Sequence, residues 1–182
     1  AITSTNTAQT IAIADKKQIP VIAPVATNDR LTENRTYGNR VCFTDSFQGS
    51  VVANYATRDL KFKTAVVLTD QAQVYSLGLS KAFSEAFVKN GGKVLKEIKV
   101  SSGDKDFKAV VSQVKALNPD MIFLPIYHGE ASMITRQSKQ IGLNKPFLSG
   151  DSVANPTFVE LGGDSVEGHM FTDFFDHNAP PT

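Results

Sequence analysis

The sequence predicts an α/β protein built around a parallel sheet, on three observations. From Lys61 onward, short β-branched runs alternate with longer stretches of helical period, the pattern of successive strand–helix units. The run at 64–69 (TAVVLT) is apolar almost throughout, as a strand covered by helices on both faces should be. The longer stretches end on helix-stopping signals, Asn90-Gly91-Gly92 and Asn118-Pro119.

In chain order, residues 8–17 read as a helix and 19–23 as a strand, with no sheet of their own, so they need partners outside the chain. Residues 27–39 (TNDRLTENRTYGN) are polar and turn-rich, the natural place for a crossover between two lobes. A helix at 48–60 precedes the strand at 64–69. Residues 74–90 place Leu77, Leu79, Phe83, Phe87 and Val88 near helical spacing. A strand at 93–101 follows, then a helix at 106–117 with Phe107, Val110, Val111, Val114 and Leu117 on one stripe and Asp106 as its cap. A strand at 121–127, a helix at 130–141 and a strand at 146–150 extend the alternation. A short helix at 155–161, closed by Gly162-Gly163, and a final strand at 169–175 running into Ala179-Pro180-Pro181-Thr182 end it. Helices on both sides of such a sheet make three layers, αβα.

Composition narrows the function. The chain has 182 residues, 41% hydrophobic, with 19 basic against 18 acidic side chains and a net charge of +1. No cluster of excess lysine and arginine marks a nucleic-acid or anionic-membrane surface. The apolar runs are strand-sized, far short of the ~20 residues a spanning helix needs. The single cysteine, Cys42, excludes an internal disulfide and a multi-cysteine metal site, and reads as a small buried residue in a strand.

Enzyme motifs fail one by one. Gly91-Gly92-Lys93-Val94 lacks the upstream glycine and the hydroxyl of a phosphate loop, and no G-x-G-x-x-G follows a strand, so no nucleotide cofactor is expected. His128-Gly129-Glu130 mimics a zinc-deaminase motif without its cysteines, and His128, His169 and His177 lack metal-binding spacing, reading instead as solvated or strand-end histidines. No G-x-S-x-G elbow is present. No catalytic residue, cofactor or metal is predicted.

What remains is a set of polar residues just beyond strand ends, where open parallel sheets bind ligands. Tyr127 closes one strand, Asp151 follows another, Thr27 follows the first, Tyr75 lies in the loop after 64–69, and Ser4 stands before the first helix. Together they suit a zwitterion, its ammonium on Asp151 and its carboxylate near Ser4 and Thr27. Taken singly, Ser4 also reads as a helix cap, Thr27 as a turn residue and each tyrosine as a packing aromatic.

At these residues the sequence resembles the periplasmic solute-binding proteins of branched-chain amino acid ABC transporters, which have the type I periplasmic binding fold. The likeness is carried by Ile19-Pro20-Val21-Ile22-Ala23-Pro24-Val25-Ala26-Thr27-Asn28 with Leu31-Thr32, by Phe43-Thr44-Asp45-Ser46-Phe47-Gln48-Gly49, by Asp104-Lys105-Asp106-Phe107 and by Gly150-Asp151-Ser152. The resemblance implies a hinged, two-lobed protein that traps a small ligand and does no covalent chemistry, working with a membrane permease in the periplasm, or lipid-anchored outside a Gram-positive cell. It implies that Ser4 meets the ligand carboxylate, Thr27 both α-groups, and Val25 the ligand through its main chain. Tyr75 and Tyr127 match the second lobe's two tyrosines, and Asp151 the acid that holds the ammonium. It divides the chain into 1–28, the end of the first lobe; 29–40, a crossover; and 41–182, a second lobe incomplete at its C-terminus. The same fold also serves as the sensing domain of receptors and amide-responsive regulators, and a flavodoxin-like enzyme is a third, weaker alternative. With the rest of the first lobe absent, Ile11, Ile13, Ile19, Val21 and Ile22 should be exposed, and self-association through them is expected.

Overall fold

The computed structural model describes residues 2–176. Its main body is a five-stranded, wholly parallel sheet in the order β4-β3-β5-β6-β7. The strands are β3 (Thr64–Asp70), β4 (Lys93–Val100), β5 (Met121–Phe123), β6 (Phe147–Ser149) and β7 (Met170–Phe171). Helices α2 (Asp45–Asn54) and α3 (Val74–Lys89) cover one face, and α4 (Lys108–Leu117), α5 (His128–Gln140) and α6 (Pro156–Gly162) the other, giving three layers. Ahead of them, α1 (Ser4–Lys16) leads into β1 (Val21–Ala23), which pairs in parallel with β2 (Gly38–Arg40).

Alternation of β3 decides the layers. Val66 and Leu68 pack toward α4 and α5 with Val111, Val114 and Ile134. Ala65 and Val67 pack toward α2 and α3 with Val52, Leu79, Phe83 and Phe87. Phe83 stacks on Phe123 with ring centroids 3.9 Å apart and on Phe87 at 5.2 Å. Gly49 lets the two covering helices touch, because a Cβ there would lie 2.7 Å from the Phe83 backbone nitrogen and 2.9 Å from the Ala82 methyl.

Several boundaries move for physical reasons. The first helix begins at Ser4 rather than at residue 8, because Thr3 caps it, its side chain accepting from the Asn6 N–H at 3.3 Å. The helix expected at 48–60 begins at Asp45, capped by Thr44, and opens into a π-helical turn at Tyr55–Asp59. Asp106 accepts from the Lys108 N–H at 3.0 Å, while Phe107 occupies the cap position. Strand β5 ends at Phe123 rather than at residue 127, because Pro125 offers no ladder N–H. Strand β7 is two residues long; the Thr172 N–H still donates to the Ser149 carbonyl at 3.3 Å, and its hydroxyl turns to Gln48 at 2.6 Å. The expectations for His177 and residues 179–182 lie outside the described residues.

The N-terminal segment corrects three expectations. Its strand does find a partner within the chain, in the last residues of the stretch read as crossover. Ile11 is buried, at 1% exposure, under β2, where a Cβ on Gly38 would sit 2.7 Å from its Cγ2. Ile13, Ile19 and Ile22 are exposed as expected, and Val21 is half-buried. Cys42 lies in the bend after β2 rather than in a strand; it is half-buried and donates to the Ala26 carbonyl at 3.3 Å.

Phe83 is the aromatic shared by α2, α3 and the sheet. Phe83→Ala is expected to lower unfolding free energy by about 3–5 kcal/mol in urea titrations; a loss below ~1 kcal/mol would mean the site collapses around the void.

Candidate functional site

The chain runs from β3 outward to β4, then returns across β3 to β5, so the strand order reverses between β3 and β5. At such a switch point the connections diverge above and below the sheet and leave a crevice beyond the carboxyl ends. A cavity of about 330 Å³ lies there, lined by Ser4, Val25, Tyr75, Tyr127 and Asp151 among others. Five of the six residues predicted from sequence therefore share one wall system. Thr27 does not line it. It is buried beside Asp45, whose N–H donates to the Thr27 carbonyl at 2.9 Å, and its hydroxyl has no hydrogen-bond partner among the described residues.

Each wall residue is set by its element. The loop after β3 is pinned when the Asp70 N–H donates to Ser76 Oγ at 2.8 Å, which orients the first turn of α3 and buries Tyr75. Tyr75 stacks on Tyr127, centroids 5.3 Å apart at 26°, and its oxygen accepts from the Ser152 N–H at 3.3 Å. Asp151 follows β6 through Gly150, where a Cβ would lie 2.4 Å from the Tyr75 hydroxyl and 2.7 Å from Gln48 Oε1. Only glycine lets that strand end come so close. Ser4 is the first residue of α1, not its cap, so the cavity receives the N-terminus of a 13-residue helix with its partial positive charge. Ser4 Oγ accepts from the Asn28 N–H at 3.3 Å, leaving its proton for another acceptor. The main-chain N–H and C=O of Val25 make no hydrogen bond among the described residues.

Three carboxyls sit at this end of the sheet, Asp45 and Asp70 buried and Asp151 half-buried. Burial raises the pKa of Asp151 above its ordinary range, opposed by hydrogen bonds from Gln48 and Tyr75. No lysine or arginine lines the cavity. Burial likewise pushes the Tyr127 phenol up to about 12 and that of Tyr75 well above its usual value. Asp45, which is not on the cavity wall, is pushed up to about 7 by burial, opposed by the Thr27 hydroxyl and the Asn28 amide beside it; its Oδ2 accepts from Asn28 Nδ2 at 3.1 Å, and its Oδ1 has no partner within hydrogen-bond distance among the described residues.

Sequence reasoning missed Gln48, Asn28 and Asp45 as site-building residues. Asp45 and Gln48 lie in the 43–49 motif and Asn28 at the end of 19–28, both of which carry the resemblance, but nothing in their residue types shows that Gln48 reaches strand ends a hundred residues away. His128 begins α5 on the cavity wall, while His169 is neither solvated nor at the site. His169 packs on Phe147 and Phe158 and bonds Ser149 through Nε2 at 2.8 Å, and burial pulls its pKa down to about 4.

A parallel sheet that opens at its switch point onto a polar and aromatic cavity defines a small-molecule-binding protein of the α/β class. Comparison with known proteins narrows that class to a family. The model of the periplasmic binding protein family matches residues 1–182, and the chain belongs to that family. It is 30% identical over 171 residues to Leu/Ile/Val-binding protein homolog 3 of Brucella melitensis, covering 93% of the chain and 46% of that protein. It is 31% identical over 166 residues to the Leu/Ile/Val-binding protein of Escherichia coli K12, covering 88% of the chain and 44% of the relative. The chain thus spans about half the length of the curated relatives it matches. Among solved structures, a leucine-binding protein, LivK, from Thermotoga maritima superposes with a TM-score of 0.96 at 37% identity, over 100% of this chain and 52% of that one. The isoleucine complex of LivJ from Streptococcus pneumoniae gives 0.82 at 35% identity, over 90% and 46%.

The Asp45 carboxyl holds its proton more tightly when folded, at about 7 against 3.8 in the free side chain. The folded state therefore loses stability relative to the unfolded chain as pH rises from about 4 through 7, and the loss is complete above that. Asp45→Asn removes this term. The variant should gain on the parent as pH rises from 4 to 8, by roughly 2 kcal/mol at the upper end after losing the attraction of the helix start. Parallel stability curves for the two proteins would show that Asp45 ionises without cost.

Proposed function

We propose that the whole protein is the solute-binding component of an ABC importer and captures a branched-chain amino acid in a cleft between two lobes. Residues 1–28 belong to the first lobe, 29–40 to a crossing, and the rest to the second lobe. The observation that carries this reading is the half-buried Asp151 carboxyl, in a cavity without lysine or arginine, together with the N-terminus of α1 on the same wall. A cation and an anion are both accommodated, as an α-amino acid requires.

In this reading the ligand ammonium pairs with Asp151, and the stacked Tyr75 and Tyr127 rings give it an aromatic wall. The ligand carboxylate takes the free proton of Ser4 and the α1 N-terminus, while Val25 offers main-chain groups with no other partner; the Thr27 hydroxyl, buried off the cavity wall, is not among the contacts. The names of the relatives, and the isoleucine in the LivJ structure, support the branched-chain class. Binding at micromolar strength needs about −8 kcal/mol, within reach of several charge-assisted hydrogen bonds plus apolar burial. No covalent step is involved. Closure of the lobes over the ligand would be the state read by a membrane permease, outside the cytoplasmic membrane.

Titration calorimetry of the whole protein with leucine, isoleucine and valine tests the reading. Asp151→Ala should weaken binding by more than about 30-fold, or ~2 kcal/mol, and Ser4→Ala by a smaller factor. An Asp151→Ala affinity within twofold of the parent would remove the ammonium role.

A further inference from the structure

Gln48 is fully buried, at 1% exposure, yet it comes from α2 and meets residues over a hundred positions away. Its Nε2 donates to Asp151 Oδ1 at 2.9 Å, and its Oε1 accepts from the Asp151 N–H at 2.9 Å and from the Thr172 hydroxyl at 2.6 Å. The Asp151 main chain and side chain fix the amide in one orientation, because flipping it would set Nε2 against the Asp151 N–H and Oε1 against the carboxylate. Nε2 must therefore face Asp151, and an N–H facing Oδ1 leaves no room for a proton on that oxygen. The pairing keeps a proton off Oδ1, so that Asp151 can be protonated only on Oδ2, and the N–H favours the carboxylate over the acid.

We infer that Gln48 is a specificity-determining positioning residue: it favours the ionised form of Asp151 and aims its second oxygen at the cavity, so that the site selects ligands bearing an ammonium group. The inference rests on the reading of Asp151 as the ammonium partner. Three close approaches support this arrangement. Gly49 lets α2 settle on α3, so Gln48 reaches the strand ends. Gly150 lets the end of β6 approach within contact of Gln48 Oε1. Thr172, at the end of β7, bonds the amide through its hydroxyl.

The surroundings make such support necessary. The groups around Asp151 are Asp173 after β7, Tyr75 on α3, Tyr127 before α5, His128 on α5, Asp45 at the start of α2 and Cys42 after β2. None is a lysine or arginine. Burial and the acidic neighbours favour protonation of Asp151, and Gln48 heads the groups that oppose it.

The test compares Gln48→Met, Gln48→Glu and Asp151→Ala in the whole protein. Calorimetry would follow leucine and its des-amino analogue 4-methylpentanoate from pH 5 to 8, with near-ultraviolet circular dichroism reporting the fold. Gln48→Met, which keeps the length and removes the hydrogen bonds, should weaken leucine at least tenfold at pH 7. The pH at which leucine affinity halves should move upward by about one unit, because Asp151 then takes a proton more readily. Affinity for 4-methylpentanoate should stay level or rise, so that the preference for leucine shrinks; a purely structural role would weaken both ligands together. Should the methionine variant not fold, Gln48→Glu decides: a second carboxyl against Oδ1 must share a proton, so leucine binding should fall at pH 7 and recover toward pH 8. Leucine affinity and pH profile within twofold of the parent in the folded variants would overturn the inference. If Asp151→Ala abolishes binding in that case, the loss is confined to Gln48; if Asp151→Ala also leaves binding intact, the reading of the site itself falls.

Discussion

Asn28 ties three helices together at the point where the N-terminal segment meets the main sheet. Its N–H donates to Ser4 Oγ on α1, and its side-chain amide donates to Asp45 on α2 and to the Val74 carbonyl at the start of α3, both at 3.1 Å. Its own carbonyl, with those of Thr27 and Asp29, is held by the Arg40 guanidinium at 2.8–2.9 Å. One residue thus sets the position of Ser4 through its main chain, and through its side chain the entry of α2 that carries Gln48 and the turn of α3 that carries Tyr75. Without it the cavity walls would belong to separate pieces.

Such convergence depends on close backbone approach, and glycines permit it where side chains would forbid it. A Cβ on Gly78 would lie 2.3 Å from Asn28 Nδ2 and 2.6 Å from Asp45 Oδ2, so α3 could not reach the junction with any other residue there. The same logic holds at Gly49 and Gly150. The arrangement carries an electrostatic cost, because it takes Asp45 and Asp151 out of water without a basic partner. Asp45 answers that cost with an amide and a proton, whereas Asp151 is held by Gln48. The two acids therefore meet the same burial differently, Asp45 inside the junction and Asp151 on the cavity wall.

The layered fold was legible because it rests on local signals: apolar strand runs, helical stripes and left-handed stops such as Asn118 at φ 48° and Gly91 at φ 85°. The switch-point site was legible for the same reason, since the order of the elements fixes where strand ends converge. Strand lengths were less so: β5 stops short before Pro125, which has no ladder donor. The burial of Ile11 and the pairing of β1 with β2 were hidden too. The polar stretch before Gly38 reads as a loop, and only tertiary contact shows that Gly38 is small so that Ile11 can lie beneath it. Gln48 was invisible for a further reason: a buried glutamine is recognised by its partners, and Asp151 and Thr172 are distant in the chain.

The central claim is that one α-amino acid spans the cavity, its ammonium at Asp151 and its carboxylate at the start of α1. A crystal structure of the whole protein with leucine bound tests it most directly. The account predicts the ammonium within about 3 Å of Asp151, beside the Tyr75 and Tyr127 rings, with the carboxylate at Ser4 and the α1 N-terminus. A ligand lying elsewhere, or reversed with its carboxylate toward Asp151, would contradict it.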